Sequence, residues 1–288
     1  IGRSLALTFA VTLASIAISL PIGWLTTSTN IPFRKFWSVV TILPLVIPSY
    51  IGAYIFISIT GQSGFLSQVL STFGMNIKVP SFYGFIGSTL TLSFLSFPYV
   101  LLTLRSALIN IDPIFLEASH VLGIKKFRTT IKIIVPQLRI ALISGGLLVA
   151  LYTLSDFGAV SLLRYKTFTW SIYAQYEASF DRHTAALMSL VLFSVALAII
   201  IIFSTARNRA AYHRSTSGSK RPRNIFDLGN WKWLAFSFCA LVFLISIVAP
   251  LSVLFAWLVQ GVVNGEKLDN VFKMSINSVA LALATATL

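Results

Sequence analysis

Long apolar runs recur along this chain, and each is long enough to cross the roughly 30 Å hydrocarbon core of a bilayer. Hydrophobic residues make up 56% of the sequence and charged residues only 10%, with a mean hydropathy of +0.85, which excludes an ordinary soluble globular protein. The runs lie at about 4–26, 38–60, 82–104, 139–160, 184–205 and 232–258, and a further run begins near Ser275. Pro44 and Pro48 predict a bent helix in the second run. The sequence therefore predicts an all-α, polytopic transmembrane helical bundle with about six complete spans plus the start of a seventh.

The net charge of +14 is distributed in a way that indicates membrane orientation. Segments 27–37, 105–139 and 206–232 hold 2, 6 and 7 basic residues, which is 15 of the 22 Lys and Arg. These segments alternate with less basic ones between the apolar runs, as the positive-inside rule requires if all three face the cytoplasm. We therefore expect contact with membrane lipid and no nucleic-acid partner.

A hydrophilic interlude at 112–136 separates two apolar runs and reads as two short helices joined at a glycine. Asp112 suits the N-cap of the first helix and Pro113 its first turn. Gly123 permits the backbone turn that ends this helix, and Pro136 ends or kinks the second one. A short basic amphipathic hairpin of this kind suits the cytoplasmic surface of the membrane, where it can bind a partner.

This interlude resembles the loop that marks the membrane subunits of ATP-binding-cassette importers. In that pattern Glu-Ala-Ala is followed by three residues, Gly, nine residues and Ile-x-Leu-Pro, and this chain keeps the spacing. The matching positions are Glu117, Ala118, Ser119, Gly123, Ile133, Val135 and Pro136. The chain departs from the pattern at Ser119 and Val135, where Ala and Leu are usual, and at Leu122, where Asp is frequent. The alternative is an ordinary amphipathic loop.

The resemblance implies that loop 105–138 carries a coupling helix, which docks on a cytoplasmic ATPase subunit, expected as a dimer. The ATPase-coupling residues would be Glu117, Ala118, Ser119, Gly123, Ile133 and Pro136. The chain has no Gly-x4-Gly-Lys-Ser/Thr phosphate loop, so ATP hydrolysis is assigned to that partner and this chain is not expected to be an enzyme. A periplasmic substrate-binding protein is the other implied partner.

Three polar side chains in apolar runs are candidates for the translocation path: Asp156, Tyr50 and Tyr54. An acid within a span is a functional candidate because it costs about 2.5–3.5 kcal/mol at mid-membrane, and less toward the interface. The alternative for Asp156 is a carboxylate that caps a helix break at Phe157 and Gly158. For both tyrosines, packing or interfacial placement is the alternative.

No two of the three histidines have metal-ligand spacing in the sequence. His120, His183 and His213 are scattered, and the single cysteine, Cys239, lies in an apolar run. We therefore expect no cofactor and no metal site in this chain. A nucleophile–base pair is not indicated either, because Asp, His and Ser fall on opposite sides of the predicted membrane.

An internal resemblance suggests two halves. Residues 278–288 resemble residues 4–14 at an offset of 274, and both segments begin Ser-x-Ala-Leu. The predicted parts are 1–205, a first permease half that lacks its first span; 206–231, a basic cytoplasmic linker; and 232–288, the start of a second half. The first residue is Ile1, so we expect the chain to begin inside a longer polypeptide that also holds the rest of the second half. The alternative is one self-contained permease.

The segment 154–182 is similar to fused two-half permeases for ferric iron. The likeness lies in Ser155-Asp156-Phe157-Gly158-Ala159-Val160, in Thr167-Phe168-Thr169 and in Ile172-Tyr173. By this resemblance, a periplasmic binding protein delivers ferric iron to the outer mouth of a permease in the bacterial inner membrane. Relatives that move thiamine, polyamines, sulfate or phosphonates share much of the architecture and stay open as alternatives. A secondary transporter or channel is the alternative from a different class.

Overall fold

A computed structural model describes residues 1–61, 64, 71, 82–111, 135–178, 181–211, 226–265 and 269–287. The described part is helical, with one isolated β-bridge between Thr29 and Phe226. The α-helices are α1 (Gly2–Ser28), α2 (Arg34–Val40), α3 (Ser49–Thr60), α4 (Gly84–Ile109), α5 (Val135–Gln137), α6 (Arg139–Ser155), α7 (Gly158–Leu162), α8 (Phe168–Tyr173), α9 (Arg182–Ala211), α10 (Lys232–Phe243), α11 (Ala249–Val263) and α12 (Asp269–Thr287). Short 3-10 segments lie at Leu43–Val46 and Gly229–Trp231, and π-helical segments at Ala174–Ala178 and Leu244–Val248. The all-α prediction is confirmed for these residues.

The core of the bundle lies where α1, α4 and α6 pack together. Apolar side chains fill it, among them Leu7, Leu92 and Val149, which are fully buried. Hydroxyl groups also meet there, and the side-chain oxygens of Ser15 and Ser96 are 3.2 Å apart. Small and hydroxyl-bearing residues let helices approach closely in a bilayer, where association depends on packing and hydrogen bonds rather than on the hydrophobic effect.

Helix α6 approaches α4 closely at Gly145. A Cβ added there would lie 2.5 Å from Thr103 Oγ1 and 2.7 Å from the backbone Cα of Val100. We expect Gly145→Ala to lower the thermal midpoint of the detergent-solubilised protein, because overpacking costs about 1–3 kcal/mol. The matched control is Gly146→Ala, whose Cβ would lie an ordinary 3.4 Å from Thr12 Cγ2. Equal midpoints for the two variants would contradict this packing.

The apolar run 38–60 is sharply bent. The helical stretch Arg34–Val46 meets α3 at an angle of 99°. Ile47 has an extended backbone (φ −82°, ψ 116°), and Pro48 directly precedes α3. A residue before proline is disfavoured in the helical conformation, so the first helix stops there. The bend predicted from the prolines of this run is confirmed.

The prediction of one continuous span at 139–160 is wrong. Helix α6 ends at Ser155 and has 17 residues, which rise only about 25 Å at 1.5 Å per residue. Asp156 leaves the helix with an extended backbone (φ −65°, ψ 131°), and a new helix begins at Gly158. The break comes before the outer end of the predicted span because the side chain of Asp156 caps the next helix.

The predicted count of six spans plus the start of a seventh is not confirmed. Four helical stretches among the described residues have the length and hydropathy of a span: Gly2–Ser28, Gly84–Ile109, Arg182–Arg207 and Gly229–Val263. The bent pair makes a fifth if its two helices count as one span, whereas α6 is a shorter apolar helix. The breaks at Pro48 and Asp156 account for two of the predicted spans, and α12, in which the seventh run begins, is not among the helical stretches that qualify. The chain is a multi-pass membrane protein.

The described parts of the three basic segments meet at one end of the bundle. The β-bridge between Thr29 and Phe226 joins the first segment to the third. Arg105, at the start of the second segment, donates a hydrogen bond to the carbonyl oxygen of Trp37 in the first. This meeting agrees with the alternating charge pattern, whereas the side of the membrane on which it lies stays a prediction.

The less basic segments meet at the other end. The Tyr165 hydroxyl donates to the carbonyl oxygen of Arg3 at 3.1 Å. The backbone N–H of Gly84 donates to the carbonyl oxygen of Leu163 at 2.7 Å. The N-terminus of α1, the N-terminus of α4 and the segment after α7 therefore share one end.

The segment that leads into α10 docks on the turn after α1. Helix α9 continues to Ala211, past residue 206, where the linker was predicted to begin, and 212–225 lies outside the described residues. The backbone N–H of Leu228 then donates to Asn30 Oδ1 at 3.0 Å, and Asn30 donates to the carboxylate of Asp227. Hydrogen bonds from the Gly229 amide and from Asn30 lower the pKa of Asp227.

Candidate translocation and coupling site

The predicted ATPase-coupling loop connects α4 to α6. Its residues Glu117, Ala118, Ser119, Gly123 and Ile133 lie outside the described residues. Pro136 is described: it is exposed and lies in the short helix α5, directly before α6. The coupling assignment therefore stays a prediction. The structure describes the two helices that flank the loop.

Asp156 is a buried acid, only 8% exposed, at the break between α6 and α7. Its Oδ1 accepts hydrogen bonds from the backbone N–H groups of Ala159 at 3.0 Å and Val160 at 3.3 Å. Its carbonyl oxygen accepts one from the Thr169 hydroxyl at 2.9 Å. The first amides of a helix have no partner within the helix, so this carboxylate serves α7 as an N-cap does.

The N-terminus of α3 packs against this break. Gly158 permits the approach, because a Cβ there would lie 3.1 Å from the Cβ of Tyr50 and 3.5 Å from Ser49 Oγ. The bend before α3 and the break after α6 are therefore in direct contact.

A cavity of about 380 Å³ opens beside this contact. Its lining residues are Leu45, Val46, Ile47, Pro48, Ser49, Leu95, Tyr99 and Tyr152. The rings of Tyr99 and Tyr152 lie with their centroids 5.7 Å apart. Five of these residues are apolar and three carry a hydroxyl group, so the cavity presents both apolar and polar surface.

The two tyrosines predicted for the path lie beside the cavity residues rather than among them. Tyr50 is 56% exposed and Tyr54 is 50% exposed. The Tyr54 ring packs on Trp257 of α11, with centroids 5.1 Å apart. The tyrosines that line the cavity are Tyr99 and Tyr152, which the sequence interpretation missed. The sequence did contain a signal for these two residues, because each is a tyrosine in an apolar run. A buried Tyr hydroxyl usually has a hydrogen-bond partner, so such a tyrosine indicates a polar neighbour.

The described oxygen atoms at this site are not arranged as a metal-binding group. Within the part of the chain that the structure describes, no three His, Cys, Asp or Glu side chains are grouped so that they could hold a metal ion. Oδ1 of Asp156 is already engaged by two amides. Because hard cations prefer oxygen ligands, hydroxyls and one carboxylate are suited to passing contacts with such a cation.

Comparison with known proteins gives relatives along most of the chain. The Fe(3+)-transport system permease protein FbpB 2 of Haemophilus influenzae is 34% identical over 264 residues, which is 91% of this chain and 48% of that protein. The sulfate transport system permease protein CysT of Salmonella typhimurium is 28% identical over 193 residues, which is 65% of this chain and 68% of that protein. The chain thus spans about half the length of the iron-transport relative.

Solved structures share the fold at lower sequence identity. A chain of the MetNI methionine ABC transporter in an inward-facing conformation has a TM-score of 0.54 and 18% identity, over 73% of this chain and 93% of that one. A chain of a bacterial ABC transporter involved in alginate import has a TM-score of 0.53 and 14% identity, over 74% and 79%. The family model for binding-protein-dependent transport system inner membrane components matches residues 19–213. This segment holds the cavity, the Asp156 break and the whole loop between α4 and α6, so the chain belongs to that family of transport-system membrane components.

Proposed function

We propose that this chain is the transmembrane permease part of an ATP-binding-cassette importer in the bacterial inner membrane, where it forms the translocation path and couples to a cytoplasmic ATPase. The observation that carries the proposal is the family match over residues 19–213. The cavity supports it, because irregular backbone at membrane depth is tolerated where it lines a cavity. Pro48 lines this cavity, and the break at Asp156 packs through Gly158 on the N-terminus of α3 beside it.

Ferric iron is the cargo that we propose. Its support is the 34% identity, over 91% of this chain, to a protein named for Fe(3+) transport. Sulfate is the second candidate because of the likeness to the sulfate permease. The oxygen atoms of Ser49, Tyr99 and Tyr152, whose residues line the cavity, are of the type that a hard cation prefers.

The proposed partners are an ATPase dimer, a periplasmic substrate-binding protein and a second permease half. We propose that 1–205 forms most of the first half, that 206–231 is the cytoplasmic linker and that 232–288 begins the second half within the same polypeptide. The contact between Tyr54 and Trp257 supports an arrangement in which the second half packs directly on the first.

Affinity purification of the complete polypeptide from native membranes tests the importer class. We expect an ATPase subunit to copurify, and ATP hydrolysis by the complex to rise when the loaded binding protein is added. Purification of an active transporter without an ATPase, with uptake driven by an ion gradient, would favour a secondary transporter and overturn the proposal.

Cysteine labelling in intact cells tests the orientation. In a Cys239→Ala background, cysteines at Lys35 and Ser217 are expected to resist an impermeant thiol reagent, because their segments are basic and cytoplasmic. A cysteine at Asn264, which is exposed, is expected to react. Labelling from outside at Ser217 would reverse the orientation and remove the coupling-loop assignment.

A further inference from the structure

The Arg105 side chain is buried at the end of the bundle where the basic segments meet, with 8% of its surface exposed. Its Nε donates to Thr26 Oγ1 of α1 at 3.2 Å. Its Nη1 donates to the carbonyl oxygen of Ser38 at 2.6 Å. Its Nη2 donates to the carbonyl oxygen of Trp37 at 3.4 Å and to Thr41 Oγ1 at 2.7 Å. One side chain of α4 thus holds α1 and the C-terminal end of α2.

These partners of the guanidinium are neutral hydroxyls and carbonyls. A buried charge is costly unless its hydrogen-bonding groups are satisfied, so the contacts of Arg105 constrain where α2 can lie. The carbonyls of Trp37 and Ser38 belong to the last turn of α2, where the helix dipole favours a cation. A planar guanidinium can address several acceptors in fixed directions, which an ammonium cannot.

The two helices joined by Arg105 lead to different parts of the site. Helix α4 ends at Ile109 and runs into the predicted coupling loop. Helix α2 runs through the 3-10 segment Leu43–Val46 to the bend at Pro48, next to the cavity and to Ser49. Arg105 therefore links α4, which carries the loop and also lines the cavity through Leu95 and Tyr99, to the helix that leads to the bend at Pro48.

We propose that Arg105 is a positioning residue for coupling, which makes α2 follow α4 so that displacement of the loop reaches the bend at the cavity. This inference rests on the proposed function as an ATP-driven importer. A residue that only stabilised the fold would lower the amount of protein and leave the ratio of transport to ATP hydrolysis unchanged. The ratio is therefore the quantity that separates the two roles.

The test reconstitutes the complete transporter, with its ATPase and binding protein, in proteoliposomes and compares wild type with Arg105→Lys. Lys keeps the charge but cannot reach Thr26 and the end of α2 together. We expect binding-protein-stimulated ATP hydrolysis to persist and the cargo moved per ATP to fall roughly two- to thirtyfold, the range of known coupling mutations.

A milder variant and a matched control sharpen the result. Thr41→Val removes one acceptor of Arg105 and should lower the same ratio, with an effect that is not additive with Arg105→Lys. Thr103→Val removes a hydrogen bond from α4 to the Ala141 carbonyl oxygen in α6 and should leave the ratio unchanged. If both Arg105→Lys and Thr41→Val keep the wild-type ratio, the inference is overturned. If wild type shows no ATP-driven uptake, the proposed function itself fails.

Discussion

Asp156→Leu is expected to reduce the amount of folded protein in the membrane, whereas Asp156→Asn is expected to retain it. The Asp156 carboxylate accepts the amides of Ala159 and Val160 in a buried setting. Asn presents an oxygen to the same amides and caps a helix about as well as Asp. Leu leaves buried N–H groups without a partner, at about 1–3 kcal/mol for each group. Quantitative blotting of membranes and the thermal midpoint of the purified protein measure the difference.

Uptake by the same two variants separates the cap from a role on the path. If the charge of Asp156 contacts a cationic cargo, Asp156→Asn lowers uptake while membrane abundance stays normal. If Asp156 acts only as a cap, Asp156→Asn is nearly silent in uptake, and the hydrogen bonds to α7 favour this outcome. Full abundance and full uptake in both variants would contradict the two roles together.

Gly123→Val is expected to stop transport while the protein still inserts in the membrane. By the family resemblance, Gly123 provides the turn that presents the coupling helix to the ATPase. A β-branched residue at a left-handed backbone position costs roughly 1–2 kcal/mol or more, and the chain would avoid that turn. Binding-protein-stimulated ATP hydrolysis and uptake by the reconstituted transporter are the measurements.

Gly123→Asn is the matched control for the turn, because Asn tolerates the left-handed region far better than Val. We expect Gly123→Asn to retain a large part of the transport that Gly123→Val loses. Wild-type uptake and normal ATPase stimulation in Gly123→Val would remove the main support for the coupling mechanism.

Local signals in the sequence predicted the parts of the fold that depend on neighbouring residues. The bend before α3 followed from prolines in an apolar run, because a proline restricts the residue before it. The two groups of helix ends followed from charge, since basic segments collect on one side of a membrane. Asp156 could be identified as a candidate site residue because an acid inside an apolar run is energetically costly.

The contacts between distant segments could not be predicted in the same way. Arg105 and Thr26 are 79 residues apart, and nothing in either apolar run shows that they meet. The length of α6 was overestimated because the hydropathy of 139–160 continues past the point where Asp156 turns the backbone. Tyr99 and Tyr152 resembled ordinary packing residues, since the direction in which each faces depends on the packing of α4 against α6.

Uptake by the complete transporter tests the central claim most directly. Proteoliposomes that contain the full polypeptide and its ATPase would be supplied with the binding protein and with labelled ferric iron, sulfate, thiamine, polyamine or phosphonate. The account predicts accumulation of ferric iron that requires both internal ATP and the binding protein, together with faster ATP hydrolysis. Accumulation without ATP, or ATP-driven accumulation of sulfate and not of ferric iron, would contradict it.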